Sequence, residues 1–369
     1  MIPPPGHAFP VDATERALPS AASALALMAR EQPGLLQQLR ERHARWALRF
    51  GALPAERQQN IEAAILLGVA RFGQRHGRYG SDFHAYHNEQ HALDLLLGRI
   101  NRLHAHPAAS GLGFDEWLAL ELFAACHDLR QREHDDHQHA VGANESASVA
   151  EALRILELCG LGGTEEAALH AALALMIAGS TFDARPDPGV NAGSGTPPAV
   201  SCDPEGSDNS AELAAGGGAL APRLPALLEH DFPIGLATAH APRGLHLACI
   251  AADLDTANVG EAFESLCRSA VELAEEREMR AGRRLGAAVS AVPCRDFLLN
   301  AQIHYLDELH RFSSAEGEAL LGEGKRANQQ RMHALVEAVR RPGCEFQQAS
   351  TGSQVLAAFQ AAAQVQALS

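Results

Sequence analysis

Apolar residues recur at three- and four-residue spacing along most of this chain, and that periodicity restricts it to helices. The pattern runs through Ala22–Arg30, Leu35–Phe50, Pro54–Phe72, Asn88–His104, Glu116–His127, Ser146–Cys159, Glu165–Ile177, Leu245–Asn258, Val259–Arg280 and Arg295–Phe312. Strand-like alternation is scarce, and Ala, Leu, Glu and Arg, all strong helix formers, fill most of these stretches. The expected fold class is all-α.

Residues 184–223 break the pattern. They are rich in Gly, Pro, Ala and Ser and nearly devoid of large apolar side chains, so they cannot bury enough surface to offset chain entropy. The segment reads as a flexible Gly/Pro-rich insertion within one domain. On that reading residues 1–78 are N-terminal helices packed on the core, residues 79–312 form the central functional region, and residues 313–369 are a helical extension. The Ala- and Gln-rich end, from about Gln348 to Ser369, reads as a peripheral helix. One interrupted helical domain accounts for 369 residues better than two separate ones.

Charge narrows the partners. Thirty basic residues against 45 acidic ones give a net charge of −15, and Lys325 is the only lysine. With no basic run, the chain is a poor partner for nucleic acid. A small anion can still bind where a metal ion supplies local positive charge. No apolar run reaches the roughly 18 residues of a membrane span, and the start, MIPPPGHAFPVDATERALPS, lacks a basic region followed by an apolar one. The seven cysteines are odd in number and form no CxxC pair, which fits a reduced, cytoplasmic setting.

Nine of the 19 histidines lie between His84 and His139. On a helix starting near His87, residues His87, His91 and Asp94 share one face at i, i+4 and i+7, so their side chains can meet one ion or one substrate group. His127-Asp128 closes the apolar helix ending at Cys126. Divalent ions also need carboxylates. Asp253 is the first choice, because a carboxylate within the apolar stretch Ala251–Leu254 is costly to bury without a partner; Asp255 competes with it. His134, His137 and His139 sit in a run that reads by default as a solvated loop, and His104, His106, His240 and His310 read as ordinary histidines.

The order His, His-Asp, Asp on separate apolar helices resembles the HD superfamily of metal-dependent phosphohydrolases, whose pattern is H…HD…D. Tyr86-His87-Asn88-Glu89-Gln90-His91-Ala92-Leu93-Asp94 resembles, more closely, the YHNxxHAxD signature of class I cyclic-nucleotide phosphodiesterases. The resemblance covers about residues 79–310. It implies an HD-domain, phosphodiesterase-like helical bundle, with His87 as general acid and His91, His127, Asp128 and Asp253 as metal ligands. Ala252-Asp253-Leu254 resembles the ADL around the last metal Asp of that family. Gln302 and, three residues on, Tyr305 resemble its purine-binding Gln and stacking aromatic; with Tyr86 they are the implied substrate contacts. The chain also departs from the family. There a second His follows the HD pair closely, as HDxxHxGxxN, whereas here Leu129-Arg130-Gln131-Arg132-Glu133 intervenes before His134. His139 and Asn144 are the nearest counterparts, displaced by an insertion. Together with Glu145 they are candidates beside the ligands or for a second ion. Asn144-Glu145-Ser146-Ala147 and Ile177-Ala178-Gly179-Ser180-Thr181 resemble segments of small bacterial HD hydrolases.

The implied activity is hydrolysis of a small phosphate ester, most simply a nucleotide or cyclic nucleotide, with one or two divalent ions (Mg, Mn, Zn, Ni or Fe) activating water. Asp128 bridges the ions and His87 protonates the leaving oxygen. Two other readings stay open on the same residues. One is an HD-type di-iron oxygenase. The other is a catalytically degenerate HD-fold binding protein, suggested by the altered stretch after Asp128.

Overall fold

The computed structural model of the protein describes residues 9–131, 142–183, 218–231 and 241–368. Among these the fold is all-α. The helices are α1 (Ala13–Ala17), α2 (Ala21–Glu31), α3 (Leu35–Phe50), α4 (Ala55–His76), α5 (Glu89–Leu93), α6 (Ile100–Ala105), α7 (Phe114–Cys126), α8 (Ala143–Leu158), α9 (Ala167–Ser180), α10 (Leu224–Asp231), α11 (Ala241–Asp255), α12 (Phe263–Arg280), α13 (Ala291–Asp296), α14 (Gln302–His304), α15 (Ala315–Arg340), α16 (Glu345–Gln348) and α17 (Gly352–Leu368). A π-helical stretch, Asp94–Arg99, joins α5 to α6, and two more, Phe297–Ala301 and Tyr305–Leu309, flank α14.

The helix starts follow their sequences. Ser20 caps α2, with Ser20 and Ser23 exchanging side chain-to-backbone hydrogen bonds. Asn88 caps α5 by accepting from the Gln90 amide. Helices α7 and α9 are largely apolar around their circumference, and most of each is buried. Around them α3, α4, α5, α8 and α11 close a first core that includes Trp46, Ile65, Phe72, Trp117, Leu120, Leu173 and Ile250. Helix α9 lies along α11, which brings the end of α11 toward the HD pair. A second core, with Phe263, Leu298, Met332, Leu335, Val355 and Phe359, joins α12, α13, α15 and α17.

Three expectations change. The C-terminal helix α17 is not peripheral, because Val355 and Phe359 are fully buried in the second core. The longest described helix, α15, falls outside the periodic stretches, since Gly317, Gly322 and Gly324 interrupt its pattern. Of the 184–223 insertion, residues 184–217 lie outside the described residues, but residues 218–223 are built into the fold. Gly218–Ala219 pairs antiparallel with Phe182–Asp183, and Leu220 and Ala221 bury against α9 and α11. Gly218 has φ of 109°, a left-handed conformation that favours glycine. No described helix is long and apolar enough to cross a membrane.

Candidate metal centre

His91 lies on α5, His127 at the C-terminal cap of α7, and Asp255 at the end of α11. Packing brings their side chains together. His91 Nε2 and His127 Nε2 are 3.3 Å apart. Asp255 Oδ1 is 2.9 Å from His91 Nε2 and 3.3 Å from His127 Nε2. Ligand atoms about 2.0–2.2 Å from one ion lie about 2.8–3.6 Å apart in tetrahedral or octahedral sites, so these three atoms fit a single cation. Asp128 Oδ2 is 3.2 Å from His127 Nε2 and 3.8 Å from His91 Nε2, at the margin of the same arrangement.

The tautomer of His127 suits a ligand. Its Nδ1 lies 3.1 Å from the Phe123 carbonyl, which can only accept, so Nδ1 carries a proton and Nε2 is the atom turned to the cluster, where an ion would displace its proton. The cluster is strongly coupled electrostatically. Burial opposes protonation of His127, yet Asp128 and Asp255 hold its pKa well above the ordinary value. Burial likewise opposes ionisation of Asp128, but His127 and His87 bring its pKa down to about 2. Asp255 is held well below the usual carboxylate range by His127 and His91, against its burial. Two ionised carboxylates facing two buried imidazoles form a site whose charge a divalent ion can balance.

Asp253 is elsewhere. It is 2% exposed, and it accepts from the Ser313 amide (2.7 Å), the Ser314 amide (2.8 Å) and the Ser314 hydroxyl (2.6 Å) ahead of α15. Residues two apart on a helix point to opposite sides, so the helix that aims Asp255 at the histidines aims Asp253 at Ser314. Burial raises the Asp253 pKa to about 6, against those hydrogen bonds. The carboxylate that completes the cluster is therefore Asp255, and the first choice of Asp253 is corrected. Arg99, buried in the π-helical stretch, fixes the end of α11. Its Nη1 donates to the carbonyls of Leu254 (2.9 Å) and Asp255 (2.6 Å), and its Nε to Glu261 (3.0 Å).

His87 stands beside the cluster, its ring centroid 6.3 Å from that of His91. Its partner is Glu276 of α12. Oε1 of Glu276 accepts from His87 Nδ1 at 2.7 Å, and Oε2 accepts from the amides of Tyr86 (3.1 Å) and His87 (2.9 Å). Burial lowers the His87 pKa, but Glu276 and then Asp128 outweigh it, and the net shift is upward. Arg280 Nη2 bridges Glu276 Oε1 (2.6 Å) to Gln131 Oε1 (2.8 Å), and Gln131 Nε2 donates to Asp128 Oδ1 (3.0 Å). One hydrogen-bonded chain thus runs from His87 to Asp128. Sequence reasoning missed Glu276, Arg280, Gln131 and Arg99; only Gln131 belongs to a local motif, where it stands at the place of the second His in HDxxHxGxxN.

The remaining candidates separate. The Tyr86 ring lies 4.9 Å, centroid to centroid, from both His87 and His91. Tyr305 rests on Phe182 at 5.3 Å, and burial and the Asp255 charge push its phenol up. Gln302 is buried, and among the described residues no hydrogen bond joins it to the cluster. Asn144 Nδ2 is 3.4 Å from Gln131 Oε1, and Glu145 has its pKa raised by burial and by Asp128. His139 lies outside the described residues.

No protein-family model matches the chain, and no curated protein matches it. The described residues define an all-α protein with a buried His/Asp cluster that could hold a metal ion, an arrangement compatible with an HD-type fold.

Proposed function

We propose that the protein is an HD-type, metal-dependent phosphohydrolase acting on a small phosphate ester, with a nucleotide or cyclic nucleotide as the expected substrate class. One observation carries the reading: His91, the adjacent His127 and Asp128, and Asp255 converge from three helices beside a His87–Glu276 pair. The four ligand candidates would hold the ion. A divalent ion there would lower the pKa of a bound water and offset charge on phosphoryl oxygens.

The chain's own residues supply the proton. Glu276 takes the Nδ1–H of His87, which leaves Nε2 as the atom that gives a proton to the leaving oxygen. The raised pKa of His87 keeps the imidazolium populated near neutral pH. A general acid so placed is worth roughly 10²–10⁴-fold in rate. Tyr86 packs against both His87 and His91 and limits water on that side.

The test is metal content of the purified protein, followed by hydrolysis of nucleotides, cyclic nucleotides and phosphomonoesters with Mg²⁺, Mn²⁺, Ni²⁺ and Fe²⁺. Turnover is expected with at least one ion. His87→Ala keeps metal and loses turnover, whereas Asp255→Asn loses both. Absence of turnover with every ion and ester, or oxygen consumption by the iron-loaded protein, overturns the proposal.

A further inference from the structure

A second group of ligand atoms lies outside this cluster. His76 is the last residue of α4, and Asp82 and His84 sit in the loop between α4 and α5. Asp82 Oδ2 is 3.6 Å from His76 Nδ1 and 3.4 Å from His84 Nε2. All three ligand atoms lie within 4.8 Å of one another.

The imidazoles are buried without adequate partners. His76 is 3% exposed and His84 is 0% exposed. Among the described residues, His76 Nδ1 and both ring nitrogens of His84 make no hydrogen bond. The Glu276 carboxylate is 3.4 Å from His84 Nδ1, without hydrogen-bond geometry. A buried polar atom left unpaired is costly, and a cation bound here would take up two of the three, His76 Nδ1 and His84 Nε2.

We propose that His76 Nδ1, Asp82 and His84 Nε2 bind a second, separate transition-metal ion of the zinc type. Two imidazoles and one carboxylate are a known zinc donor set, and the two separations from Asp82 match a tetrahedral edge of about 3.3–3.6 Å. The Asp82 side chain is 51% exposed, which leaves the fourth position open to solvent. Coordination through Nδ1 puts the ring proton of His76 on Nε2. The 3.3 Å contact that Nε2 now receives from the Gln131 amide is then given up. The ion ties the loop carrying His84, Tyr86 and His87 to the end of α4. The site stands independently of the catalytic reading, because it shares no ligand with the first cluster.

The experiment uses the full chain, stripped with chelator and dialysed against Zn²⁺, with bound metal counted by mass spectrometry. In a His91→Ala/Asp255→Asn background one equivalent of zinc is expected to remain and to raise the melting temperature. Adding Asp82→Asn or His84→Gln removes that equivalent and the thermal shift. Asp82→Asn alters a half-exposed residue, so it serves where His84→Gln fails to fold, as checked by circular dichroism. With Co²⁺, the background protein shows the visible bands of a tetrahedral site and the Asp82→Asn form does not. A background protein that binds no zinc, or zinc retained after both added substitutions, overturns the assignment. Loss of turnover in the wild-type chain with this equivalent intact counts against the first site alone.

Discussion

Replacing Glu276 with Gln isolates the electrostatic part of the His87 pairing. In the native site Oε1 accepts from His87 Nδ1 and Arg280 Nη2, while Oε2 accepts two backbone amides. An amide in the same place keeps one oxygen for the backbone amides and removes the charge. His87 then loses its anion and keeps Arg280 nearby. An opposite charge at this range shifts a pKa by about 1–3 units, or about 1.4–4 kcal/mol between protonation states. The direction follows from the raised native value. Protonated His87 persists below that value and is lost as pH rises through it, so the acid form, and with it turnover, disappears on the alkaline side. In Glu276→Gln the alkaline limb of kcat/KM should move to lower pH by about 1–3 units. The His87 ring should titrate lower by the same amount in long-range ¹⁵N–¹H NMR. Because Glu276 is buried, stability also falls, by up to about 3–5 kcal/mol, so the profile is taken where circular dichroism and metal content match wild type. A His87 titration that stays put, or moves upward, in a folded and metal-loaded variant refutes the pairing.

Four further outcomes are expected. Asp253→Ala should cost about 1–3 kcal/mol in chemical denaturation through its lost hydrogen bonds to Ser313 and Ser314, yet leave the metal content unchanged; loss of metal there with Asp255→Asn retaining it would reverse the ligand assignment. Gly317→Ala should destabilise by about 1–3 kcal/mol, since a Cβ at that position would collide with the Asp253 carboxylate; an unchanged denaturation midpoint would count against this packing. Arg99→Leu frees the end of α11 and should weaken metal binding by about 10–100-fold in a competition titration, the usual effect of losing a group that orients a ligand. His43 is buried between Glu121 (2.6 Å) and Glu62 (3.4 Å), and although burial opposes it, these carboxylates raise its pKa from 6.5 to about 9. The sign makes its contribution complete below pH 6.5 and lost as pH rises through 9. Stability should therefore fall by as much as about 3 kcal/mol across that window, and a His43→Gln variant should show a flatter profile.

What the sequence made legible follows from how local each signal is. His91, His127 and Asp128 could be read because each belongs to a short motif at the start or end of an apolar helix, and both helices formed. The choice between Asp253 and Asp255 could not be settled that way. Both lie in the last turns of α11, on opposite sides, and which side meets the histidines depends on how α11 lies against α9. The ADL resemblance selected instead the residue that holds Ser314, the cap of α15. Glu276 was hidden among neighbouring acids of α12, where Glu272, Glu275 and Glu278 look the same in sequence. Helix α15 was hidden by glycines that serve close packing, for a Cβ at Gly324 would collide with the Gly260 backbone.

The near-absence of lysine gains meaning at the same level. Arg99 meets two carbonyls and a carboxylate at once. Arg280 bridges Glu276 to Gln131. Arg71 bonds the Leu18 carbonyl and lies 3.4 Å from both Glu15 and Glu151, while Arg75 reaches Asp12, Glu151 and the Leu129 carbonyl, close behind the HD pair. A planar guanidinium can bind several acceptors in fixed directions, whereas an ammonium is a single point charge. Each of these buried or half-buried positions holds two or more chain segments in register around the candidate site. The lopsided basic composition is in this part of the molecule a set of clamps: Arg99 holds the helix end that carries Asp255, and Arg280 links the His87–Glu276 pair through Gln131 to Asp128.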